Sequence, residues 1–180
     1  MATEAAAPAI AAAEFIDDVD KFMQGKTAEE QLEKIRQQLQ SFKQQEQMLL
    51  LRRERLLDRQ PEIKMALEAV VGLIDQKSKA EPLLVDFELT ENIYAKAAVQ
   101  DADSVNLWLG ANVMVEYPLA EAKELLSTQL EACERSLKQA AKDLETVKNN
   151  TTITEVSMAR VFNWDVEQRR KAKQAAAGSS

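Results

Sequence analysis

Apolar residues recur at alternating steps of three and four in the first long stretch of the chain, from Leu32 to Ile74. A repeat of 3.5 residues is typical of coiled-coil helices. The capping-box pattern Thr27–Glu30 predicts a helix that starts near residue 28, and Pro82 predicts its end. Pro61 lies inside the repeat, and because the register resumes after it we expect a kink rather than a helix end.

The same repeat returns from Leu119 to Val161, after Pro118, which suits the first position of a helix. The basic run Arg169–Lys173 favours the C-terminal end of this second helix. Residues 149–152, Asn-Asn-Thr-Thr, have poor helix propensity, so we expect the helix to loosen there. The pattern predicts two helices of about 50 residues each, folded back as an antiparallel pair that places residue i near residue 198 − i.

Between the helices, the apolar period changes from 3.5 to two over residues 83–117. This alternation predicts four short strands, and the links at residues 90–92 and 110–112 would close two hairpins. The fold class is therefore mainly α with a small β part, a long antiparallel helical coiled-coil hairpin joined by two β-hairpins. The expected segments are an N-terminal tail with a short amphipathic stretch (1–26), coiled-coil helix 1 (27–81), the β-hairpins (82–117), coiled-coil helix 2 (118–175) and a C-terminal tail (176–180).

The strand block is expected to be the oligomerisation element. Four short strands have an apolar face and open edges, and they hold too little material to bury that face alone. We therefore expect the block to join other subunits. The alternative is that it folds back against its own coiled coil. The residues expected to form the oligomer contact are Phe87, Ile93, Val105, Leu107, Trp108, Leu109, Val113, Val115 and Tyr117.

The remaining aromatic residues lie near the helix ends remote from the strands, and the helical shaft between has none. Large, rigid apolar side chains favour interaction surfaces. In one interpretation, Phe15 and Phe22 pack onto Phe162 and complete the fold. In the other, part of this tip stays exposed and holds a client protein. The residues expected to bind a client are Met158, Val161, Phe162, Trp164, Phe15 and Phe22.

Composition argues against several classes of function. The 180 residues carry a formal charge of −7, which disfavours a nucleic-acid binder, and no apolar run is long enough to span a membrane. There is no His and a single Cys, so we expect no zinc site, no cofactor and no enzymatic activity. Asp17, Asp18 and Asp20 imitate part of a calcium loop, but no Gly or Glu completes it, and solvated charge is the expected role. The lone Cys and the absence of a signal-peptide pattern favour the cytoplasm, and the nucleus stays open.

Four stretches resemble the prefoldin family and, within it, the α-class subunits. The most specific are Leu-Trp-Leu-Gly-Ala-Asn-Val in the stretch 105–119 and Asn-Trp-Asp-Val in the stretch 151–166. Residues 15–19 and 93–97 add to them, and the likeness spans residues 14–170. The resemblance implies a hexamer of two α-class and four β-class subunits. It implies that their hairpins join into a double β-barrel from which six coiled coils extend.

The resemblance also implies a function. Prefoldin is an ATP-independent co-chaperone that captures unfolded cytosolic proteins, actin and tubulin above all, between its coiled-coil tips and passes them to the group II chaperonin. From the residues themselves, a structural coiled-coil scaffold or adaptor that binds folded partners is the alternative. A helical hairpin that grips RNA is a third hypothesis, and the acidic charge counts against it.

Overall fold

The computed structural model describes residues 10–77, 79, 82–99 and 102–178, with side chains through 175. Residues 1–9 of the predicted tail, part of the segment 176–180 and part of the link between the hairpins lie outside the described residues. The fold class is as predicted, two long helices with two small antiparallel hairpins between them. The elements are α1 (Val19–Phe22), α2 (Ala28–Lys77), β1 (Leu83–Thr90), β2 (Ile93–Val99), β3 (Ser104–Gly110), β4 (Val113–Pro118) and α3 (Leu119–Gly178).

The long helices follow the predicted repeat closely. α2 begins at Ala28, within the capping-box pattern, and continues through Pro61, which therefore does not end it. Pro118 closes β4 and α3 begins one residue later, at Leu119, so the prediction that Pro118 opens the helix was off by one position. We call the positions of the 3.5-residue repeat the seam; they run from Leu32 to Ile74 in α2 and from Leu119 to Val161 in α3. All of them are described, and only Arg53 is exposed.

The expected loosening of α3 at residues 149–152 was wrong, because the helix is continuous there. Thr151 and Thr152 donate their hydroxyl protons to the carbonyl oxygens of Val147 and Lys148, one turn back, at 2.9 and 3.0 Å. These bonds satisfy the hydroxyl groups inside the helix. Asn150 is buried and its side-chain amide has partners outside the helix, so its low propensity is outweighed by tertiary contacts.

The two hairpins are antiparallel with short turns, and each register shifts just before its turn, between Glu88 and Thr90 and between Trp108 and Gly110. β1 pairs with β2 from Leu83 opposite Val99, and β3 pairs with β4 from Ser104 opposite Pro118. Both predicted links form the turns, and Asn112 adopts a positive φ of 62° after Ala111 at 49°. Two consecutive left-handed residues are the geometry of the tight turn that suits the twist of paired strands.

The chain forms two compact units. The first unit contains the chain up to Glu54 and from Lys138 onward, and the second unit is Arg55–Leu137. In the first unit, Lys43 forms an ion pair with Glu155, with 3.2 Å between Nζ and Oε1. Their numbers add to the predicted 198. Phe42, Leu49, Leu144 and Val147 form a buried cluster beside the ion pair, and Ile10 and Ala13 pack against it.

The second unit has its own apolar core. The buried members are Ile63 and Val70 from α2 and Leu119, Ala122, Leu126 and Cys133 from α3. The Cys133 thiol lies 3.5 Å from the backbone carbonyl oxygen of Leu56 and is buried, as expected for a small apolar seam residue. The numbers of these two residues add to 189, so the predicted sum of 198 does not hold in this unit. Three hairpin residues pack against this core, and they connect the strands to the helices within the unit: Val105, Leu107 and Tyr117.

Candidate interaction surfaces

Hairpin β1–β2 carries an apolar face that the described part of the chain leaves uncovered. Alternate residues share a face of a strand, so Val85 and Phe87 lie beside Ile93 and Ala95 of the partner strand. Phe87 is 60% exposed and Ile93 is 55% exposed. We call these four residues, with Ala97, the open face. The opposite face of the same hairpin, which we call the mixed face, pairs Asp86 with Lys96, Leu84 with Ala98 and Glu88 with Tyr94.

Hairpin β3–β4 differs, because one of its faces is packed within its own unit. Val105, Leu107 and Tyr117 are half-buried against the core of the second unit, and Val115 lies opposite Leu107. Trp108, which points to the other side of the strand from Leu107, is 60% exposed. The exposed large apolar residues of this hairpin are Trp108, Leu109, Val113 and Met114.

The nine predicted oligomerisation residues therefore fall into two groups. Five are exposed, namely Phe87, Ile93, Trp108, Leu109 and Val113. Four are half-buried, namely Val105, Leu107, Val115 and Tyr117. The alternative that the strand block folds back on its own helices describes part of β3–β4. It leaves the open face of β1–β2 without cover from the described residues.

The six predicted client-binding residues also divide. Val161 is fully buried in a cluster with Ile16, Met23 and Ile35. Met158, Phe22 and Trp164 are half-buried and pack against the same cluster. Phe15 and Phe162 are exposed, at 44% and 54%. Four of the six side chains therefore pack within the fold around Val161, and Phe15 and Phe162 face solvent. Client binding by this group stays a prediction.

Sequence reasoning missed two further exposed apolar residues of α3, Val156 and Val166. Val166 follows Phe162 by four residues, so the two side chains are neighbours on the outer face of the helix. The exposed, small Ala159 lies three residues before Phe162 on the same face. The sequence contains the signal, because Val156, Ala159, Phe162 and Val166 follow one another at steps of three and four. This second apolar line is shorter than the seam that runs beside it.

The acidic residues near the N-terminus have structural partners. Asp18 caps α1, and its Oδ1 accepts the backbone N–H of Lys21 at 3.0 Å. The indole N–H of Trp164 donates to Oδ1 of Asp20 at 2.5 Å. The expectation that these carboxylates are simply solvated was therefore incomplete. Among the described residues, no group of three or more Cys, Asp or Glu side chains is arranged to hold a metal ion.

The N-terminal stretch before α1 is bound to α3, which the sequence did not predict. We call residues 10–18 the strap. The Ala13 N–H donates to Oδ1 of Asn150 at 3.2 Å, and Nδ2 of Asn150 donates to the Ala11 carbonyl oxygen at 3.0 Å. The Ile16 N–H donates to Oγ of Ser157 at 3.4 Å. The available signal was spacing, since Asn150, Ser157 and Trp164 are seven residues apart and share one face of α3.

Comparison with known proteins identifies the family of the chain. A family model described as prefoldin subunit matches residues 42–164, which include both hairpins and most of each long helix. The chain belongs to the prefoldin family. Among the described residues, no helix combines the length and the apolar character needed to cross a bilayer.

Within the family, the chain is similar to proteins named prefoldin subunit 3. The chain is similar to prefoldin subunit 3 of Mus musculus and of Homo sapiens, each 41% identical over 160 residues. That alignment covers 87% of this chain and 82% and 81% of the two relatives. Prefoldin subunit 3 of Saccharomyces cerevisiae is 34% identical over 187 residues, which cover 98% of this chain and 94% of the relative.

Proposed function

We propose that this chain is an α-class subunit of hexameric prefoldin and assembles through its two hairpins. The observation that carries the proposal is the open face of β1–β2, where Phe87 and Ile93 are more than half exposed. Removing such side chains from water favours association. The partners are the other prefoldin subunits, two of the α class and four of the β class in all. Their hairpins would complete a double β-barrel.

The assembled complex would capture unfolded proteins with the apolar surface of the first unit. Phe15 and Phe162 are accessible for direct contact, and Val166 extends the patch beside Phe162. The four less exposed residues of the predicted set, Met158, Val161, Phe22 and Trp164, would support this surface from within. Each contact is weak and poorly specific, which suits variable clients, and several subunits together gain strength by avidity.

Membership of the prefoldin family supports the finer assignment. The complex would hold unfolded actin and tubulin and transfer them to the group II chaperonin. It would act in the cytoplasm, and the nucleus is a second possible location. It would act without ATP, without a cofactor and without enzymatic chemistry, because binding alone would supply the free energy. This chain would contribute neither a nucleic-acid site nor a membrane contact.

A single exposed aromatic residue allows the client surface to be tested. In the reconstituted hexamer, Phe162→Ala should raise the concentration needed for half-maximal suppression of client aggregation about threefold, since one such contact contributes about 0.5–1 kcal/mol. Light scattering of chemically unfolded actin measures this. Met65→Ala is the matched control, because Met65 is an exposed apolar residue of the second unit, at 63%. That control should protect like the unaltered complex.

Two results would contradict the proposal at different levels. Equal protection by the Phe162→Ala and unaltered hexamers would remove the tip assignment and leave the chaperone function standing. No protection by the unaltered hexamer, combined with tight binding of a folded partner, would favour the structural scaffold instead. Native mass spectrometry of each preparation must first show a full hexamer, so that a loss of protection is not a loss of assembly.

A further inference from the structure

The hydrogen bonds between the strap and α3 all use the main chain of the strap, and the Arg160 guanidinium also lies 5.2 Å from the centre of the Phe15 ring. Four bonds connect them, and in each the strap supplies a backbone N–H or carbonyl group, from Ala11, Ala13, Ile16 and Asp17. The fourth bond runs from Nη2 of Arg160 to the Asp17 carbonyl oxygen, at 2.8 Å. Bonds of this type do not depend on which side chains the strap carries. Any extended polypeptide offers the same groups.

Only a few strap side chains enter the surface beneath. Ile16 is buried in the cluster with Ile35 and Val161, and Ile10 and Ala13 pack against the Phe42 cluster. The side chains between them, at residues 11, 12, 14 and 15, are exposed. The surface therefore binds an extended backbone and accepts a small number of apolar anchors. Recognition of strands added to sheet edges combines the same two elements.

The polar residues of α3 are poorly suited to helix packing alone. Asn150 and Ser157 are 6% and 2% exposed, among positions that are otherwise mostly apolar. A buried amide or hydroxyl group is unfavourable unless it is hydrogen-bonded, and here the strap provides the bonds. When the strap leaves, these groups are ready to bond the main chain of another segment.

We propose that the α3 face bearing Asn150, Ser157 and Arg160 is a binding surface for an extended, unfolded polypeptide, and that the strap is its internal ligand. A client segment and the strap exclude each other, since both need the same donors and acceptors. The inference rests on the proposed chaperone function and specifies how a client is bound: by its main chain and one or two apolar anchors, in place of residues 10–18. Tethering gives the strap a high effective concentration, so a client that contacts several subunits competes best.

Hydrogen exchange of the unaltered hexamer tests this exclusion directly. The probe is reduced, carboxymethylated α-lactalbumin, a permanently unfolded polypeptide. When it is bound, the Ala13 and Ile16 amides should exchange at least about tenfold faster, because their bonds to Asn150 and Ser157 are lost. Amides of residues 126–137, in the second unit, should not change. Size-exclusion chromatography shows separately whether the probe is bound.

The two possible failures are distinguishable. If the probe co-elutes with the hexamer and the Ala13 and Ile16 amides stay protected, the strap is a permanent part of the fold. The inference is then overturned and the chaperone function stands. If the probe does not co-elute, the chaperone function itself fails, and the inference fails with it.

Substitutions in the strap give a second, opposite-signed test. Ile16→Ala weakens the internal ligand, so the hexamer should bind the probe about three- to tenfold more tightly. Glu14→Ala, at an exposed neighbouring position, should leave the affinity unchanged. Adding Asn150→Ala to Ile16→Ala should abolish the gain, whereas adding Asn149→Ala, at an exposed adjacent position, should preserve it. An unchanged or lower affinity for Ile16→Ala, or a gain that survives Asn150→Ala, overturns the inference.

Discussion

The two hairpins are similar in length and topology, but their apolar faces have different environments. On β3–β4, Val105, Leu107 and Tyr117 pack against the helical core of the same unit. On β1–β2, Val85 and Phe87 occupy the positions equivalent to Val105 and Leu107, and both are exposed. One hairpin is therefore anchored by its own chain. The other presents an apolar surface that the described part of the chain leaves uncovered.

The two hairpins therefore differ in whether they are packed against the helices of their own chain. The anchored hairpin fixes the strands to the helices, partly through the bond from the Leu119 N–H to the Asp103 carbonyl oxygen at 3.2 Å and the ion pair of Lys77 with Asp103. The open hairpin can then meet a partner without reorganising the helical core. In the first unit, too, apolar residues are covered by the same chain, because the strap packs against α2 and α3.

The largest expected effect comes from a charge placed on the open face. Phe87→Asp should weaken assembly of the reconstituted hexamer at least about 100-fold, because an unpaired carboxylate would be buried in the contact. Native mass spectrometry should detect the free chain in place of the hexamer. The helical circular dichroism of the chain itself should be retained, since the Phe87 side chain is 60% exposed.

Leu84→Asp is the matched control for this substitution. Leu84 lies on the same strand, is 70% exposed and belongs to the mixed face, opposite Ala98. The same charge there should leave the hexamer intact. Full assembly of the Phe87→Asp variant would show that the open face is not the contact. Loss of assembly in both variants would show that β1–β2 is buried on both faces.

A charge on the packed face of β3–β4 should lower the stability of the chain itself, in addition to any effect on assembly. Leu107→Asp should lower the free energy of unfolding of the isolated full-length chain by about 2–4 kcal/mol, because the carboxylate would replace an apolar contact with the core. Urea titration followed by circular dichroism measures this. Asn106→Asp, at the exposed neighbouring position, should have little effect. Equal stability of the Leu107→Asp and unaltered chains would remove the distinction between the hairpins.

Much of the fold could be predicted from the sequence because its determinants are local. The 3.5-residue repeat specifies the helices, and period-two alternation specifies the strands, each through side chains that are near in sequence. Thr90–Asn92 and Gly110–Asn112 carry enough turn character to place both hairpins. The prediction at residues 149–152 failed because it used only local helix propensity. Hydrogen bonds from Asn150 to residues more than a hundred positions away stabilise the helix there.

The candidate surfaces were less predictable because they depend on which apolar residues find cover. The pattern at Leu107 and at Phe87 is the same, and only the tertiary structure distinguishes the half-buried side chain from the exposed one. The strap's own sequence gives no sign of its bonds to Asn150 and Ser157, because the strap contributes backbone groups that every residue except proline carries. The sign lay in α3, where Asn150, Ser157 and Trp164 follow one another at intervals of seven residues.

The smallest effect compares the same truncation on the two hairpins. Val105→Ala removes two methyl groups that are half-buried against the core, and it should lower the free energy of unfolding of the isolated chain by about 1 kcal/mol. Val85→Ala removes the same atoms from the open face, where they are more exposed, and should cost less than about 0.5 kcal/mol. Urea midpoints of the two variants, at equal slope, give the comparison directly.

Assembly should reverse the order of the two valines. In the hexamer, Val85 would be covered by a partner subunit, so Val85→Ala should then lower the thermal midpoint by at least as much as Val105→Ala. A truncation that matters little in the free chain and more in the complex is the behaviour of a contact residue. Equal losses for Val85→Ala in both states would mean that the open face stays in water after assembly. The two hairpins would then differ in anchoring without differing in partner binding.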